Sequence, residues 1–447
     1  MYYTVLVASQ KYHKDLPLTY EADVDLPTGS VVTIPLQKET AIGIVVGTAS
    51  KPNFKTKKIL NVVVKSAVSP QSMKLMTWLG MYYPSPSGLI HGLLAPSYLQ
   101  KIDPVITSQK LDKVQNKPVS LNKEQQKVVE SIGRTPGHSV LLHGDTASGK
   151  TRVYIELARQ SLLKGKSAII LTPEIGLTTQ LVNSFVAVFG NRVIVMHSGL
   201  TPKSRRTAWL QTAQSNEPII VIGPRSSLFA AIKSIGLIVV DEMHDSAYKQ
   251  EQAPYFLTSR VAAKLAQLHQ AKAIFGSATP PVHDYYIFLK NHLPIFRMTG
   301  TASGEPASIK VDIVDLKNHS DFTRSKWLSN TLVDHLTRSL KSREQSLVFI
   351  NRRGTARVIL CQNCGWQATC PRCDLPLTYH GDSHNVICHT CGFKDGAPSN
   401  CPTCGSSEII FKTAGTKSIV NELERLFPKA IVRRFDSDVK KANDLKA

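Results

Sequence analysis

The apolar positions of this chain change rhythm along its length. Over the first hundred residues they come in short β-branched runs, VVTIPL at 31–36, AIGIVVG at 41–47 and ILNVVVK at 59–65, punctuated by Gly and Pro. Runs of that kind predict strands. A helical spacing follows over 71–83, then a Pro/Gly-rich segment, YYPSPSGLIHGLLAPSY, and a polar stretch that reads as a linker. From Leu121 the runs become continuous: SVLLHG, SAIILTP, RVIVMHS, PIIVIG, IGLIVVD and KAIFGSA, most of them separated by helical segments. Strands that are apolar throughout, set between helices, predict a parallel sheet covered on both faces. The same pattern restarts near Ile309 with IKVDIVD, a helix at about 328–341 and QSLVFINRRG, and it resumes later with a helix over 416–426 and the strand AIVRRFD.

The predicted organisation is therefore a β-rich domain over 1–105, a linker over 106–120, an α/β unit over 121–305 and a second α/β unit over 306–447. The second unit is interrupted at 358–410 by a block that holds all eight cysteines.

Charge narrows the class of partner. Lys and Arg number 54 against 33 Asp and Glu, a formal net charge of +21. That balance points to a polyanion, nucleic acid first, with a generally basic surface as the plainer reading. No apolar run approaches the roughly 20 residues of a membrane span. The opening MYYTVLVASQKYHK is too short in its apolar part for a secretory leader. The expected location is cytoplasmic, where clustered cysteines favour metal over disulfides.

Two sets of residues carry chemistry. Gly144-Asp145-Thr146-Ala147-Ser148-Gly149-Lys150-Thr151 fits G-x-x-x-x-G-K-[ST] between a predicted strand and a predicted helix. Such a loop aims backbone N–H groups and a helix N-terminus at phosphates. Lys150 is expected to reach the β- and γ-phosphates of ATP, and Thr151 to help hold Mg2+. The strand IGLIVV runs into Asp241-Glu242-Met243-His244, at the same edge of the sheet as the phosphate loop. Asp241 is the expected Mg2+ carboxylate, Glu242 the group that orients or deprotonates the attacking water, and His244 a link to the nucleic-acid side.

The second set is four C-x-x-C pairs: Cys361/Cys364, Cys370/Cys373, Cys388/Cys391 and Cys401/Cys404. Each pair can grip one ion from one tight turn, so the eight thiols predict two closed, structural four-cysteine sites for two Zn2+. Spacing alone leaves the pairing of the pairs open. His384 and His389 are read as solvated, because eight thiolates already fill two sites.

Asp241-Glu242-x-His244 followed by Ser277-Ala278-Thr279 resembles a superfamily 2 helicase. Leu171-Thr172-Pro173-Glu174, His197-Ser198-Gly199, Gly223-Pro224-Arg225-Ser226-Ser227, Asp245-Ser246-Ala247-Tyr248-Lys249-Gln250, Asn351-Arg352-Arg353-Gly354, the cysteine block and FPKAIVRRFDSD are similar to the primosomal protein N′ (PriA) family of bacterial replication-restart helicases. The resemblance covers about 121–443 and is weaker over 1–100. It implies a RecA-like ATP-binding lobe, a partial second lobe with a two-zinc insertion, and a β-rich N-terminal domain that binds the 3′ end of DNA. It also implies 3′→5′ DNA unwinding at stalled forks, primosome and single-strand-binding proteins as partners, and a nested zinc pairing. In that pairing Cys361, Cys364, Cys401 and Cys404 hold one ion, and Cys370, Cys373, Cys388 and Cys391 the other.

The chain departs from the family pattern in places. Leu18-Thr19-Tyr20 and Pro35-Leu36-Gln37 stand where the family has an aromatic-Asp-aromatic stretch and a Pro-aromatic-Gly turn. Glu251 to Phe256 keep two aromatics of a loop that couples DNA contact to hydrolysis. Only about 20 residues stand where the family usually carries a winged helix. The sequence ends at Ala447, before the Q-x-x-G-R-A-G-R stretch that supplies the family's closing arginines. The expectation is a shortened helicase, by truncation or by nature, that binds ATP and hydrolyses it weakly or not at all. The alternative is a zinc- and ATP-binding fork-DNA scaffold.

Overall fold

A six-stranded sheet occupies the N-terminus of the computed structural model, which describes residues 1–14, 16–101, 111–114, 119–173, 175–300, 310–315, 318–325, 327–350, 359–380, 384–410 and 416–434. Its strands are β1 (Tyr2–Ala8), β2 (Leu18–Glu21), β3 (Val31–Leu36), β4 (Glu39–Ala49), β5 (Lys57–Lys58) and β6 (Asn61–Val64), in the order β5-β2-β1-β4-β3-β6. All pairings are antiparallel except β2 with β5. β1 lies in the opening segment that the sequence reading weighed only as a leader. Its side chains alternate, with Tyr3, Val5 and Val7 fully buried, and that period of two marks a strand with one face in the core. The helices α1 (Pro70–Tyr82) and α2 (Ser87–Leu94) follow. Ser69 caps α1 by accepting the Ser72 N–H.

The next unit alternates strands and helices: α3 (Lys123–Arg134), β7 (Ser139–Gly144), α4 (Lys150–Leu163), β8 (Ser167–Leu171), α5 (Ile175–Phe189), β9 (Val193–Val195), α6 (Pro202–Gln214), β10 (Ile220–Gly223) and β11 (Ile235–Val240). After a small hairpin, β12 (Lys249–Gln250) with β13 (Phe256–Leu257), come α7 (Thr258–His269), β14 (Lys272–Ser277), α8 (Val282–Lys290) and β15 (Ile295–Met298). Seven strands form one parallel sheet in the order β15-β7-β14-β11-β8-β10-β9. All six predicted strands are in it. The seventh, β15, is a four-residue edge strand with only Met298 fully buried, and so carried no continuous apolar signal.

Alternation within each strand feeds two cores. Val140, Leu142, Ile170, Val239 and Ile274 join α3, α4 and α5 on one face of the sheet. Leu141, Ile169, Leu171, Ile238 and Val240 face the other way, into a core that also contains Ile42, Ile44, Leu75 and Leu94 of the N-terminal region. The N-terminal strands and the parallel sheet therefore share apolar packing, and Met1–Ala307 form one compact unit. Trp209 of α6 sits at the join, 1% exposed, and its indole N–H donates to Leu94 O at 3.1 Å.

The second unit, Ser308–Ala447, corrects part of the sequence reading. The helices stand as expected, α9 (Asn330–Lys341) first and the other over 416–426, and they share a small core of Leu328, Val333 and Ile419. The strands predicted in IKVDIVD, QSLVFINRRG and AIVRRFD form no ladder among the described residues. Val348 and Ile350 turn inward while Leu347 and Phe349 are 88% and 79% exposed. The side chains thus alternate as in a strand, but no described segment lies alongside to exchange backbone hydrogen bonds, and pairing is what makes a strand. Asn351, Arg352, Arg353 and Gly354 lie outside the described residues, as do much of the predicted linker and the end of FPKAIVRRFDSD.

Within the cysteine block, β16 (Leu360–Cys361) pairs with β20 (Ile409–Ile410), and β17 (Thr378–His380), β18 (Asn385–Ile387) and β19 (Lys394–Gly396) form an antiparallel meander. The helix that closes the unit is α10 (Thr416–Leu426). No helix among the described residues is long and apolar enough to cross a membrane.

Candidate nucleotide and metal sites

The phosphate loop joins β7 to α4 at the C-terminal edge of the sheet. Gly149, at φ +81°, and Ala147, at φ +63°, bend the chain back so that α4 begins at Lys150. A Cβ on Gly144 would stand 2.8 Å from Ser148 Oγ and against the Lys150 side chain, so only glycine leaves the loop its shape. Lys150 is buried, and its Nζ donates to Gly144 O at 2.9 Å. Ser148 Oγ is buried without a hydrogen-bond partner among the described residues.

Two supports hold the loop from behind. The Asp145 N–H donates to Met298 O of β15 at 2.9 Å. Gln125, 1% exposed, donates from Nε2 to Ser148 O at 3.2 Å while its Oε1 accepts the Asn122 N–H. Sequence reasoning missed Gln125. The signal was available in Asn122-x-x-Gln125, a capping box at the start of α3.

Thr151, Asp241 and Glu242, predicted to act together, line one cavity of about 600 Å3 with Gly149 and Thr172. The chain turns sharply after β11, with Glu242 at φ +47°. His244 Nδ1 lies 2.8 Å from Ser277 Oγ and 3.5 Å from Glu242 Oε2, and Ser277 Oγ also accepts the Thr279 N–H at 3.0 Å. The Asp-Glu-x-His turn and the Ser-Ala-Thr loop are thus bonded to each other through His244. Asp241 Oδ1 accepts the Tyr154 hydroxyl at 3.0 Å, and its carbonyl accepts the Tyr248 hydroxyl at 2.6 Å. Burial, reinforced by the neighbouring Glu242 carboxylate, pushes Asp241 up to about 6. A divalent cation at this carboxylate would relieve that penalty. The donor set suits Mg2+ and a polyphosphate: an ammonium, an orphaned hydroxyl, backbone amides at a helix start, and a carboxylate across from Thr151.

The cysteines gather into two groups, Cys361, Cys364, Cys401 and Cys404, and Cys370, Cys373, Cys388 and Cys391, with sulfurs all within 4.8 Å in each. Outer pairs thus join outer pairs, in nested order. Sulfur–sulfur distances of 3.4–3.6 Å are close to the edge of about 3.8 Å that a tetrahedron with Zn–S of about 2.3 Å requires. Gly365, Gly392 and Gly405 hold φ of +74°, +75° and +72°, and each N–H donates back to the first Cys carbonyl of its pair. The fourth turn does the same with Asp374 at φ +53°. Backbone N–H groups of Cys391 and Thr390 draw the Cys388 thiol down to about 6, whereas hydrogen bonding to Cys388 leads the causes that push Cys373 up to about 12. Four such sulfurs ionise together only around a cation. His384 is paired with the Tyr379 hydroxyl at 2.7 Å.

A second depression, about 640 Å3, lies on the N-terminal sheet between Lys11–Lys14, Leu18–Tyr20, Pro35–Gln37 and Phe54–Lys57. The Tyr20 hydroxyl donates to Pro35 O at 3.1 Å, and burial pushes its pKa up to about 12. Phe54 is 61% exposed at the rim among lysines. An exposed ring flanked by ammonium groups suits base stacking beside phosphate contacts.

Comparison with known proteins agrees with each of these regions. Residues 122–286 match the DEAD/DEAH box helicase family, 4–96 the 3′DNA-binding domain (3′BD) of PriA, and 370–395 the PriA DNA helicase Cys-rich region. The chain is 36% identical to replication restart protein PriA of Bacillus subtilis over 78% of its own length and 43% of that protein's. It is 31% identical to the Helicobacter pylori protein of the same name over 97% of its length and 66% of that one's. It therefore spans 43% and 66% of the length of these two relatives. The Pyrococcus furiosus Hef helicase domain aligns at a TM-score of 0.31 and 19% identity over 49% of this chain and 47% of that one, too loose to carry weight beside them.

Proposed function

The chain belongs to the PriA family of replication restart proteins, and from that we propose that it is an ATP-dependent DNA helicase that recognises stalled replication forks, translocates 3′→5′ and promotes primosome assembly. The observation that supports the reading most is that Gly149 and Thr151 of the phosphate loop line one cavity with Asp241 and Glu242, in the same compact unit as the 3′DNA-binding region. The residues Gly144 to Thr151 hold the phosphates of ATP, with Lys150 as the cation. Asp241 and Thr151 hold Mg2+, which offsets phosphate charge when bound. Glu242 orients the attacking water. His244, bonded to Ser277, passes the state of the site toward the DNA side. The eight cysteines hold two Zn2+ as structural ions. Partners are fork and single-stranded DNA, primosome proteins and single-strand-binding protein, and the compartment is the cytoplasm.

A second reading, a fork-DNA scaffold that binds ATP without efficient unwinding, draws support from the second unit. Its segments at 310–315 and 344–350 pair with no described strand, so among the described residues the second unit forms no parallel sheet like the one that carries the phosphate loop. Strand displacement on a forked duplex separates the two. The helicase reading expects displacement that disappears in Lys150→Ala while fork binding stays within about twofold, because phosphate contacts to DNA lie elsewhere. Equal fork binding with no displacement by either protein contradicts the helicase reading and leaves the scaffold.

A further inference from the structure

Asp241 is held from two sides by tyrosines that the mechanism above does not use. Tyr248 reaches its backbone carbonyl, and Tyr154 reaches its side chain. Tyr154 lies on α4, four residues after Lys150, and is completely buried. Residues four apart share a helix face, so the helix that begins at the phosphate loop carries this phenol toward β11. Its hydroxyl donates to Asp241 Oδ1 at 3.0 Å. Asp241 lines the nucleotide cavity and Tyr154 does not, so the phenol grips the carboxylate from behind.

Gly276 supplies a second, independent observation. It lies within β14, in the apolar run KAIFGSA, where glycine weakens a strand and signals close approach by another group. That group is Tyr154: a Cβ built on Gly276 would collide with the phenol oxygen. The space for this hydroxyl is thus made by the strand that ends in Ser-Ala-Thr. The phosphate-loop helix, the carboxylate strand and the Ser-Ala-Thr strand meet at one oxygen atom. A ring buried only for packing would need neither the carboxylate nor the glycine, since phenylalanine fills the same volume without a polar atom to satisfy.

We propose that Tyr154 is a positioning residue for the divalent cation of the nucleotide site, its hydroxyl fixing one oxygen of Asp241 so that the other is presented to the cavity. The proposal rests on the assignment of Asp241 to Mg2+. Freed of the phenol, the carboxylate gains rotamers, and a cation that demands near-ideal octahedral geometry binds a disordered ligand less well.

The test is the affinity of a fluorescent ATP analogue measured with and without Mg2+ across a Mg2+ titration, for the wild type, Tyr154→Phe and Gly276→Ala. Tyr154→Phe is expected to keep Mg2+-free nucleotide affinity within about twofold and to raise the Mg2+ concentration at half effect by about fivefold to tenfold, the scale of one ordinary side-chain hydrogen bond. Gly276→Ala, which displaces the same hydroxyl sterically, gives the same rise and serves if Tyr154→Phe does not fold. An unchanged Mg2+ midpoint in the variants that fold overturns the proposal. If Mg2+ leaves wild-type nucleotide affinity unaltered, the assignment of Asp241 is overturned and the proposal with it. If Mg2+ acts normally in the wild type and in both variants, only the role of Tyr154 is.

Discussion

Stripping zinc from the protein is expected to unfold the segment from Ile359 to Ile410 while the unit Met1–Ala307 keeps its thermal midpoint. The cysteine block has almost no other source of stability. Its core consists of Ile359, Ala368, Leu377 and Val386 with two of the cysteines themselves, and Trp366, Tyr379 and Phe393 are only partly covered. A segment of this size buries too little apolar surface to fold alone. Structural zinc supplies on the order of 10–16 kcal/mol in comparable small sites, and that binding energy is folding energy. Treatment with a mercurial and chelator should release two zinc ions per chain, one from each cysteine group. It should also open the block to protease. Cys388→Ser, which removes one ligand of the Cys370–Cys391 group, should halve the stoichiometry. Because thiolates bind the metal and thiols do not, zinc retention should weaken as pH falls. Retention of protease resistance after complete zinc loss would show that the block is held by packing instead.

Trp209→Ala should cost about 3–5 kcal/mol, the usual range for deleting a large buried aromatic. The indole is 1% exposed within the core shared by the N-terminal region and the parallel sheet, and its N–H is committed to Leu94 O. Truncation leaves both a cavity and an unpaired buried carbonyl. Denaturant titration of the two proteins measures the loss. The N-terminal strands and the sheet should lose stability together, as parts of one cooperative unit. A shift confined to the sheet, with the N-terminal region unaffected, would mean that the shared packing is not thermodynamically coupled.

Much of the α/β unit was legible because its signals are continuous and local. Strands buried on both faces read as unbroken apolar runs, and the phosphate loop is a single contiguous motif between a strand and a helix. What the sequence hid was of two kinds. β1 and β15 are strands whose runs are short or alternating, so their identity comes from the neighbours they pair with. Tyr154 and Gly276 act through contacts across 87 to 122 positions of sequence, and no local pattern encodes them, whereas Gln125 left a local trace in its capping box. The second unit erred in the opposite sense. Its apolar runs look like strands and even alternate like strands, but a strand also needs a partner. The grouping of the cysteine pairs could not come from spacing, since four similar turns combine equally well in several ways. The nested grouping came from the family resemblance alone, and the folded chain brings the sulfurs together in that same order.

The proposed function depends on a triphosphate being held by the Lys150 loop opposite Asp241. The most direct measurement is calorimetric titration of ATP with excess Mg2+ into the purified chain and into Lys150→Ala. Charge-assisted hydrogen bonds of roughly 1.5–3 kcal/mol correspond to a roughly 10- to 150-fold loss of affinity in the variant. One ATP bound per chain, weakened by that factor in Lys150→Ala, is the predicted result. No saturable heat with the wild type, or equal affinity in both proteins, would contradict the account.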